Sequence, residues 1–349
     1  MGMATLFLLE ICMRVLPPIL PEPTKSLLEE AARIPLSNTR TIHGTQIELP
    51  PAQPADVAVI GDSFPFGTYV KKAATFPALL EKKAGRRVVN LGIGSQSPPQ
   101  YNRMVEVSAR YQPKEVLYCL FANDFLNGTF PESLLTLSPE RAFKSLPEDQ
   151  ELFKEQISTR DRMLTLRKQA TNYLLSLQLV KLFDQPAQQN NLEKVAWKDR
   201  AGYFAFINRS YWDSLLSFEN QNVVRDLPGL IQLVNAAAVY CQGMGARFTV
   251  VMIPSKEMVY EAVVPVEVQS RIYSDAHYKT YQVLADTLKK MEIASLDLTP
   301  DLRSAASGGK KLYFSIDGHF NELGHEVAAE ILANYLQSEK GSENAIFPE

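Results

Sequence analysis

The chain has 349 residues, of which 46% are hydrophobic, and a formal net charge of −3. This length and apolar content are enough to bury one large α/β core together with an insertion. The mildly acidic balance and the absence of a Lys/Arg block argue against a nucleic-acid surface. Three isolated cysteines, with no Cys-x-x-Cys pair or Cys/His cluster, predict neither a disulfide framework nor a metal site.

The N-terminal 20 residues are mostly apolar but are interrupted by Glu10 and Arg14 and ended by Pro17-Pro18. The uninterrupted run is too short to span a bilayer, and it lacks the basic region and cleavage site of a signal peptide. We predict a helix docked on the domain, with an interfacial or truncated membrane anchor as the alternative. Residues 21–54 are rich in proline and are predicted to be a linker, so the main domain is expected at 55–340.

The main domain opens with the apolar run Val57–Ile60, which predicts a buried strand followed directly by Gly61-Asp62-Ser63. A serine at a strand end is ordinary turn chemistry, but it becomes a nucleophile when a base is assembled beside it. Residues 76–84 and 100–111 have the pattern of amphipathic helices, and each precedes a further strand. This alternation predicts an α/β fold with a doubly wound parallel sheet flanked by helices.

Two further strand ends carry small or polar residues. The run 88–95 leads into a glycine-rich loop with Gly94 and Ser95, and the run 116–121 is followed by Asn123. Because the carboxyl ends of parallel strands share one edge of a sheet, these groups are expected in one cleft with Ser63. Backbone N–H groups of such a loop and an asparagine amide can stabilise an oxyanion.

Residues 131–225 break this pattern and predict a helical insertion or cap. The segment concentrates aromatic residues, namely Trp197, Tyr203, Phe204, Phe206, Tyr211, Trp212 and Phe218. Packing of the insertion onto the core is the favoured interpretation. The alternative is a wall above the site that stacks on a sugar or lines an acyl group, with Trp212 as a substrate-binding residue.

The sheet resumes after the insertion. A long helix is predicted at 229–243, a buried strand at 247–253, a helix at 266–291 and a short last strand at 294–298. Lys256 follows the second of these elements, at the same edge as the catalytic loops. A structural ion pair is the favoured role for Lys256, and binding of a substrate carboxylate is the alternative.

Asp317-Gly318-His319 lies on a loop just before the amphipathic segment 322–337, which is predicted to be the C-terminal helix. His319 is the candidate base, since the other three histidines are expected to be structural or exposed: His43, His277 and His325. Asp317 is the candidate partner of His319. Spacing alone does not exclude Asp62 or Asp124 as the partner of His319. The favoured roles of these two acids are to stabilise a turn and to anchor a loop, respectively.

The order Gly-Asp-Ser, Asn-x-Gly-x-Gly, x-Asn-Asp and C-terminal Asp-x-His resembles the SGNH (GDSL-type) hydrolase superfamily. The resemblance implies a three-layer, flavodoxin-like sandwich, with Ser63 as nucleophile, His319 as base and Asp317 as its partner. It also implies an oxyanion hole formed by the Ser63 amide, a second-block amide and the Asn123 side chain. Many members have a glycine where this chain has Ser95, so either Gly94 or Ser95 is the second donor.

The Asp-x-His spacing and the segment Ile-Pro-Ser-Lys-Glu-Met-Val-Tyr at 253–260 are similar to the branch that contains alginate O-acetyltransferase-type proteins. We therefore expect an esterase that cleaves acyl esters, most simply acetyl esters, through an acyl-Ser63 intermediate. One alternative is an O-acetyltransferase acting on a cell-surface or exported polysaccharide, and a second is a non-catalytic glycan-binding module. The presence of all three candidate catalytic residues argues against the non-catalytic module.

No cofactor or metal is expected, and the expected partner is an acyl ester or acetylated carbohydrate. The resemblance favours a membrane-associated, extracytoplasmic location, with a cytoplasmic one as the alternative. The sequence does not choose between hydrolase and transferase, because the same three residues serve both reactions.

Overall fold

The computed structural model describes residues 49–94, 96–125, 137, 195–198, 204–315 and 317–343. The predicted N-terminal segment 1–20, nearly all of the linker 21–54 and most of the insertion 131–225 lie outside these residues, as does Ser95. Within the described part of the chain, no helix has the length and hydrophobicity needed to cross a bilayer.

The core is a parallel sheet of the strands β1 (Val57–Ile60), β2 (Val88–Asn90), β3 (Glu115–Leu120), β6 (Arg247–Met252) and β7 (Ala294–Asp297). Their order in the sheet is β2-β1-β3-β6-β7. Every residue of β1 and β3 is buried, and all of them except Glu115 are hydrophobic, because helices cover both faces of a parallel sheet. Val57 pairs with Val88 on one side and Glu115 on the other. The predicted doubly wound α/β fold is confirmed.

Helices flank this sheet as the outer layers of a three-layer sandwich. They are α1 (Ser63–Phe66), α2 (Phe76–Ala84), α3 (Pro98–Ser108), α4 (Arg209–Leu216), α5 (Gln221–Gly243), α6 (Lys256–Tyr260), α7 (Val266–Ile272), α8 (Asp275–Lys290), α9 (Thr299–Ser307) and α10 (Glu322–Glu343). Helix α2 packs against α10, and α3 packs against α5. The predicted insertion also contains the antiparallel strands β4 (Val195–Lys198) and β5 (Ala205–Ile207).

Helix α5 begins well before the predicted start at residue 229. A proline ordinarily marks a helix boundary, but Pro228 lies inside α5. Asn220 caps the start of the helix, because its side chain accepts a hydrogen bond from the N–H of Asn222. The apolar face that includes Val223 and Leu227 is buried against the core and stabilises the turns before the proline.

The predicted single helix at 266–291 is also wrong, because it is divided into α7 and α8. The break lies at Tyr273 and Ser274, which are both extended. Ser274 caps α8, and its N–H donates to Nδ1 of His277 at 3.4 Å. Nε2 of the buried His277 lies 2.8 Å from Oδ1 of Asp213 on α4, so this histidine joins two helices.

The aromatic side chains of the insertion that the structure describes pack largely onto the core. Phe204, Phe206 and Trp212 are buried. The ring of Trp212 lies at right angles to that of Phe121, with a centroid separation of 6.1 Å. This packing agrees with the favoured interpretation of the aromatic segment.

Candidate active site

Ser63 stands at the carboxyl end of β1, as the first residue of the short helix α1. The turn before it is tight, because a Cβ on Gly61 would lie 2.8 Å from Cγ of Pro65 and 2.9 Å from the carbonyl oxygen of Cys119. Oδ1 of Asp62 accepts a hydrogen bond from the N–H of Phe64 at 3.1 Å and caps the turn. The hydroxyl of Ser63 is thus held at the sheet edge by a backbone that has little freedom.

The structure brings Ser63, His319 and Asp317 into one hydrogen-bonded chain. Nε2 of His319 lies 2.8 Å from Oγ of Ser63, although the two residues are 256 positions apart. Nδ1 of His319 lies 2.6 Å from Oδ1 of Asp317, which also accepts the backbone N–H of His319 at 2.8 Å. The order is hydroxyl, imidazole and carboxylate, as an activated serine requires.

The loop that carries His319 is tied down on both sides. The N–H of Phe314 donates to the carbonyl of His319 at 3.1 Å, and the N–H of Asn321 donates to the carbonyl of Leu312 at 3.1 Å. Oδ1 of Asn321 accepts the N–H of Gly324 at 3.0 Å and so caps the start of α10. Gly324 packs so closely that a Cβ there would overlap the carbonyl of Leu312.

The His319 and Asp317 side chains shift each other's pKa. Burial acts to raise the pKa of Asp317, but the hydrogen bond and charge of His319 outweigh it, and the pKa falls below the ordinary value. Burial acts to lower the pKa of His319, but the hydrogen bond and charge of Asp317, with the charge of Asp62, raise it above 6.5. Since the side chains of His319 and Asp317 are 27% and 35% exposed, substrate can reach the pair.

The two other acids considered as partners of His319 have different contacts. Oδ2 of Asp62 accepts the hydroxyl of Ser63 at 3.2 Å, and burial raises the pKa of Asp62. Asp124 is buried and accepts the hydroxyl of Tyr101 and the N–H of Phe121, each at 2.9 Å. Burial and the charge of Asp62 raise the pKa of Asp124 well above its ordinary value. Neither carboxylate is hydrogen-bonded to the His319 ring, whereas Asp317 is.

Three of the four predicted oxyanion donors are described, and Ser95 lies outside the described residues. Among these residues, the N–H groups of Ser63 and Gly94 have no hydrogen-bond acceptor. The exposed Asn123 places Nδ2 3.4 Å from Oδ2 of Asp62, which also contacts the Ser63 hydroxyl. The Asn123 amide therefore lies on the Asp62 side of the serine, and it and the two N–H groups are candidate donors to a substrate oxygen.

Asn90 fixes the glycine loop against the serine turn. Its Nδ2 donates to the carbonyl of Pro65 at 2.7 Å, and its Oδ1 accepts the N–H of Gly92 at 2.9 Å. A Cβ on Gly92 would lie 2.8 Å from the backbone nitrogen of Phe66, so only glycine permits this approach. Asn90 and Gly92 of the second block thus hold the two loops together.

Lys256 and Trp212, the two predicted substrate-binding residues, are only 1% and 4% exposed. Nζ of Lys256 donates to the carbonyls of Phe314 and Ser315 at 2.7 and 2.9 Å, and it lies 4.0 Å from the centroid of the Phe204 ring. The charge of Lys256 also helps to lower the pKa of Asp317. In this conformation Lys256 supports the loop before Asp317, and contact of either residue with substrate stays a prediction.

Sequence reasoning missed Tyr69, whose ring is perpendicular to that of His319 at a centroid distance of 5.8 Å. No spacing marked this residue, because an aromatic residue after a turn is ordinary.

Within the described part of the chain, no group of three or more His, Cys, Asp or Glu residues could hold a metal ion. Cys119 and Cys241 are buried free thiols.

Comparisons with known proteins find similarity over the part of the chain that carries the histidine loop. Residues 219–346 match the family model described as "SGNH hydrolase-like domain, acetyltransferase AlgX". Over this stretch the chain is similar to the AlgX-like branch of the SGNH superfamily. The matched residues include Asp317 and His319, whereas Ser63 lies before the start of the match.

A curated protein to which the chain is similar is "Probable alginate O-acetylase AlgJ" from Pseudomonas fluorescens. It is 28% identical over 138 residues, which cover 37% of this chain and 32% of AlgJ. The match therefore spans about a third of that relative. A solved structure, titled as a putative lipolytic protein of the G-D-S-L family from Desulfitobacterium hafniense DCB-2, is 12% identical. It covers 81% of this chain and 98% of its own, with a TM-score of 0.40.

Proposed function

We propose that the protein is a serine-dependent ester hydrolase that cleaves acyl esters, in particular acetyl esters, through an acyl-Ser63 intermediate. The observation that carries this proposal is the chain of contacts from Oγ of Ser63 through both ring nitrogens of His319 to Asp317. With Nδ1–H donated to the carboxylate, Nε2 is the unprotonated nitrogen that faces the serine hydroxyl.

In the first half-reaction, Nε2 of His319 accepts the hydroxyl proton as Oγ of Ser63 attacks the ester carbonyl carbon. The carbonyl oxygen becomes an oxyanion. The N–H groups of Ser63 and Gly94 and the amide of Asn123 are the donors assigned to it, and Ser95 remains an alternative to Gly94. The tetrahedral intermediate then expels the alcohol, which takes the proton from His319, and the acyl group stays on Ser63.

In the second half-reaction, His319 accepts a proton from water while the water oxygen attacks the acyl-Ser63 carbonyl. Collapse of this second tetrahedral intermediate releases the carboxylic acid and returns the proton to Oγ of Ser63. Asp317 keeps the imidazole in the required tautomer throughout and stabilises the imidazolium that forms in each half-reaction.

The second candidate function is O-acetyl transfer to a polysaccharide hydroxyl, and the match to the AlgX family model with the similarity to AlgJ favours it. The chemistry differs only in the acceptor, because a sugar hydroxyl replaces water in the second half-reaction. An alginate-like polysaccharide is the acceptor class to test first. A non-catalytic glycan-binding role leaves the close Ser63–His319 contact without a purpose.

The decisive experiment measures turnover of 4-nitrophenyl acetate by the full chain and by Ser63→Ala. The matched control is Ser338→Ala, which removes an exposed serine hydroxyl on α10 away from the site. We expect the wild type and the control to release nitrophenol at equal rates and Ser63→Ala to lose this activity. Intact-mass spectrometry of quenched reactions should detect an acetyl adduct on the wild type and not on Ser63→Ala.

Adding mannuronate oligosaccharides to the same reaction distinguishes the two functions. Acetylated oligosaccharide formed at the expense of free acetate would select the transferase, and unchanged acetate yield would select the esterase. Equal turnover by the wild type and Ser63→Ala, or none by either, would refute serine catalysis and leave the binding-module interpretation.

A further inference from the structure

Tyr69 has a backbone conformation that tyrosine rarely adopts. Its φ angle is 67°, in the left-handed region where glycine and asparagine are usual. The residue lies on the turn that leaves α1, six positions after Ser63. Gly67 in the same turn is also left-handed, and its N–H donates to the carbonyls of Ser63 and Phe64. A glycine at position 69 would meet the backbone requirement with less strain, so the tyrosine side chain must provide something else.

The Tyr69 ring stands directly beside the candidate base. It lies at 90° to the ring of His319 and at 83° to that of Phe314, with centroid separations of 5.8 Å in both cases. The Tyr69 side chain is only partly buried, unlike those of the core tyrosines such as Tyr118 and Tyr313. The His319 side chain is also partly exposed, so the Tyr69 ring lies beside a base that a substrate can reach.

The Tyr69 hydroxyl differs from those of the core tyrosines because it has no hydrogen-bond partner among the described residues. The hydroxyls of Tyr118 and Tyr313 donate to backbone carbonyls at 3.2 and 2.8 Å. Burial and the negative charge of Asp317 raise the pKa of Tyr69 above 10. The phenol consequently stays protonated near neutral pH and can donate a hydrogen bond to a ligand.

The side of the site on which Tyr69 lies indicates which part of a substrate it would meet. The amide of Asn123, one of the candidate oxyanion donors, lies beside Asp62, whereas the Tyr69 ring packs against His319. In serine acyl transfer, the base exchanges its proton with the alcohol oxygen, so the alcohol portion of the ester must lie next to the histidine. We propose that Tyr69 binds the alcohol portion of the substrate, with its ring against a sugar face and its hydroxyl donating to a neighbouring sugar oxygen.

This assignment rests on the proposed function and adds the group that recognises a carbohydrate alcohol. It gives Tyr69 a part in specificity, because a small alcohol or a nitrophenol lacks the neighbouring oxygen. Phe in place of Tyr keeps the ring packing and removes only the donor. Since that donor has no partner among the described residues, the substitution should not weaken the fold.

The test compares the wild type with Tyr69→Phe on two substrates, an O-acetylated mannuronate oligosaccharide and 4-nitrophenyl acetate. We expect kcat/KM for the oligosaccharide to fall about tenfold, as for one lost hydrogen bond, and to fall less for the nitrophenyl ester. The control is Tyr111→Phe, since the Tyr111 hydroxyl bonds to the carbonyl of Pro50 away from the site. This control should lower the melting temperature and leave both activities unchanged, whereas Tyr69→Phe should leave the melting temperature unchanged.

A binding measurement separates failure of this inference from failure of the proposed function. Isothermal titration of the same oligosaccharide into Ser63→Ala and into Ser63→Ala/Tyr69→Phe needs no turnover. About tenfold weaker binding by the double variant supports the assignment even if the wild type is inactive. Equal affinity of the two variants, or an equal loss of kcat/KM on both substrates, would overturn it.

Discussion

The buried His325 should make the fold sensitive to acid in a way that can be calculated. His325 lies in the first turn of α10, where Nδ1 accepts the N–H of Phe76 at 3.2 Å and the ring stacks on that of Phe76. Burial, with a smaller effect from the charge of His319, lowers the pKa of His325 from 6.5 to about 3. The imidazole is therefore neutral in the folded protein and titrates normally only after unfolding.

The sign of the effect follows from proton uptake. Between about pH 6.5 and pH 3, the unfolded chain binds a proton at His325 that the folded chain does not, so the free energy of unfolding falls as the pH falls. One proton corresponds to about 1.4 kcal/mol per pH unit. Between pH 6.5 and 4.5 this histidine alone should cost the fold about 2 to 3 kcal/mol.

The assay is urea unfolding, at a series of pH values, of the wild type and of His325→Asn, whose side-chain oxygen can replace Nδ1 as an acceptor for Phe76. The variant loses ring packing at every pH, so the informative quantity is the difference between the two free energies of unfolding. Acids with raised pKa, such as Asp62 and Asp124, oppose the loss but contribute equally to both proteins. The difference should shrink by about 2 to 3 kcal/mol between pH 6.5 and 4.5, and parallel curves would refute the reasoning.

Three further predictions concern the site and its support. Because His319 must be neutral to accept a proton, kcat/KM of the wild type should fall as the pH drops through the raised pKa of His319. Asp317→Asn should move this acidic limb of the pH–rate profile to lower pH and lower the maximal kcat/KM by about a thousandfold or more; an unmoved limb would contradict the pairing of Asp317 with His319. Lys256→Met removes the donor that Lys256 offers to the carbonyl of Phe314, and it should lower the free energy of unfolding in urea by about 1 to 3 kcal/mol and also lower kcat. An unaltered kcat would show that the lysine only stabilises the fold. Gly324→Ala should cost about 1 to 3 kcal/mol by thermal unfolding, because its Cβ would overlap the carbonyl of Leu312, whereas Gly243→Ala, with open space around it, should not destabilise the protein.

The strands were predictable because burial on both faces leaves a simple record in the sequence. Val57–Ile60 is entirely apolar and bounded by a glycine turn, and it forms β1 with the predicted bounds. The site residues were predictable for a related reason, since parallel strands deliver their ends to one edge. Asn123 thus contacts Asp62, the neighbour of Ser63, although 61 positions separate Asn123 from Asp62 in the sequence.

Other features depend on tertiary packing that no local pattern reveals. Pro228 is tolerated inside α5 because the buried face of that helix outweighs one missing hydrogen bond. The break at Ser274 depends on a capping interaction with a histidine in place of the usual Glu or Gln. Likewise, the burial of Lys256 follows from two carbonyls on a loop almost 60 residues away in sequence. Each of these outcomes is decided by a distant partner.

The long separation between Ser63 and His319 has a consequence for how the protein acquires activity during synthesis. The helix α2, which follows the serine turn, packs against α10, which follows the histidine loop. A nascent chain that has completed β1, β2 and β3 still lacks the base, and the loop that carries the base is held by Asn321 and Gly324 at the start of α10. Because contacts of such long range form late in folding, the serine stays unactivated until α10 has been synthesised and has docked. Incomplete or misfolded chains would therefore carry an ordinary, unreactive serine.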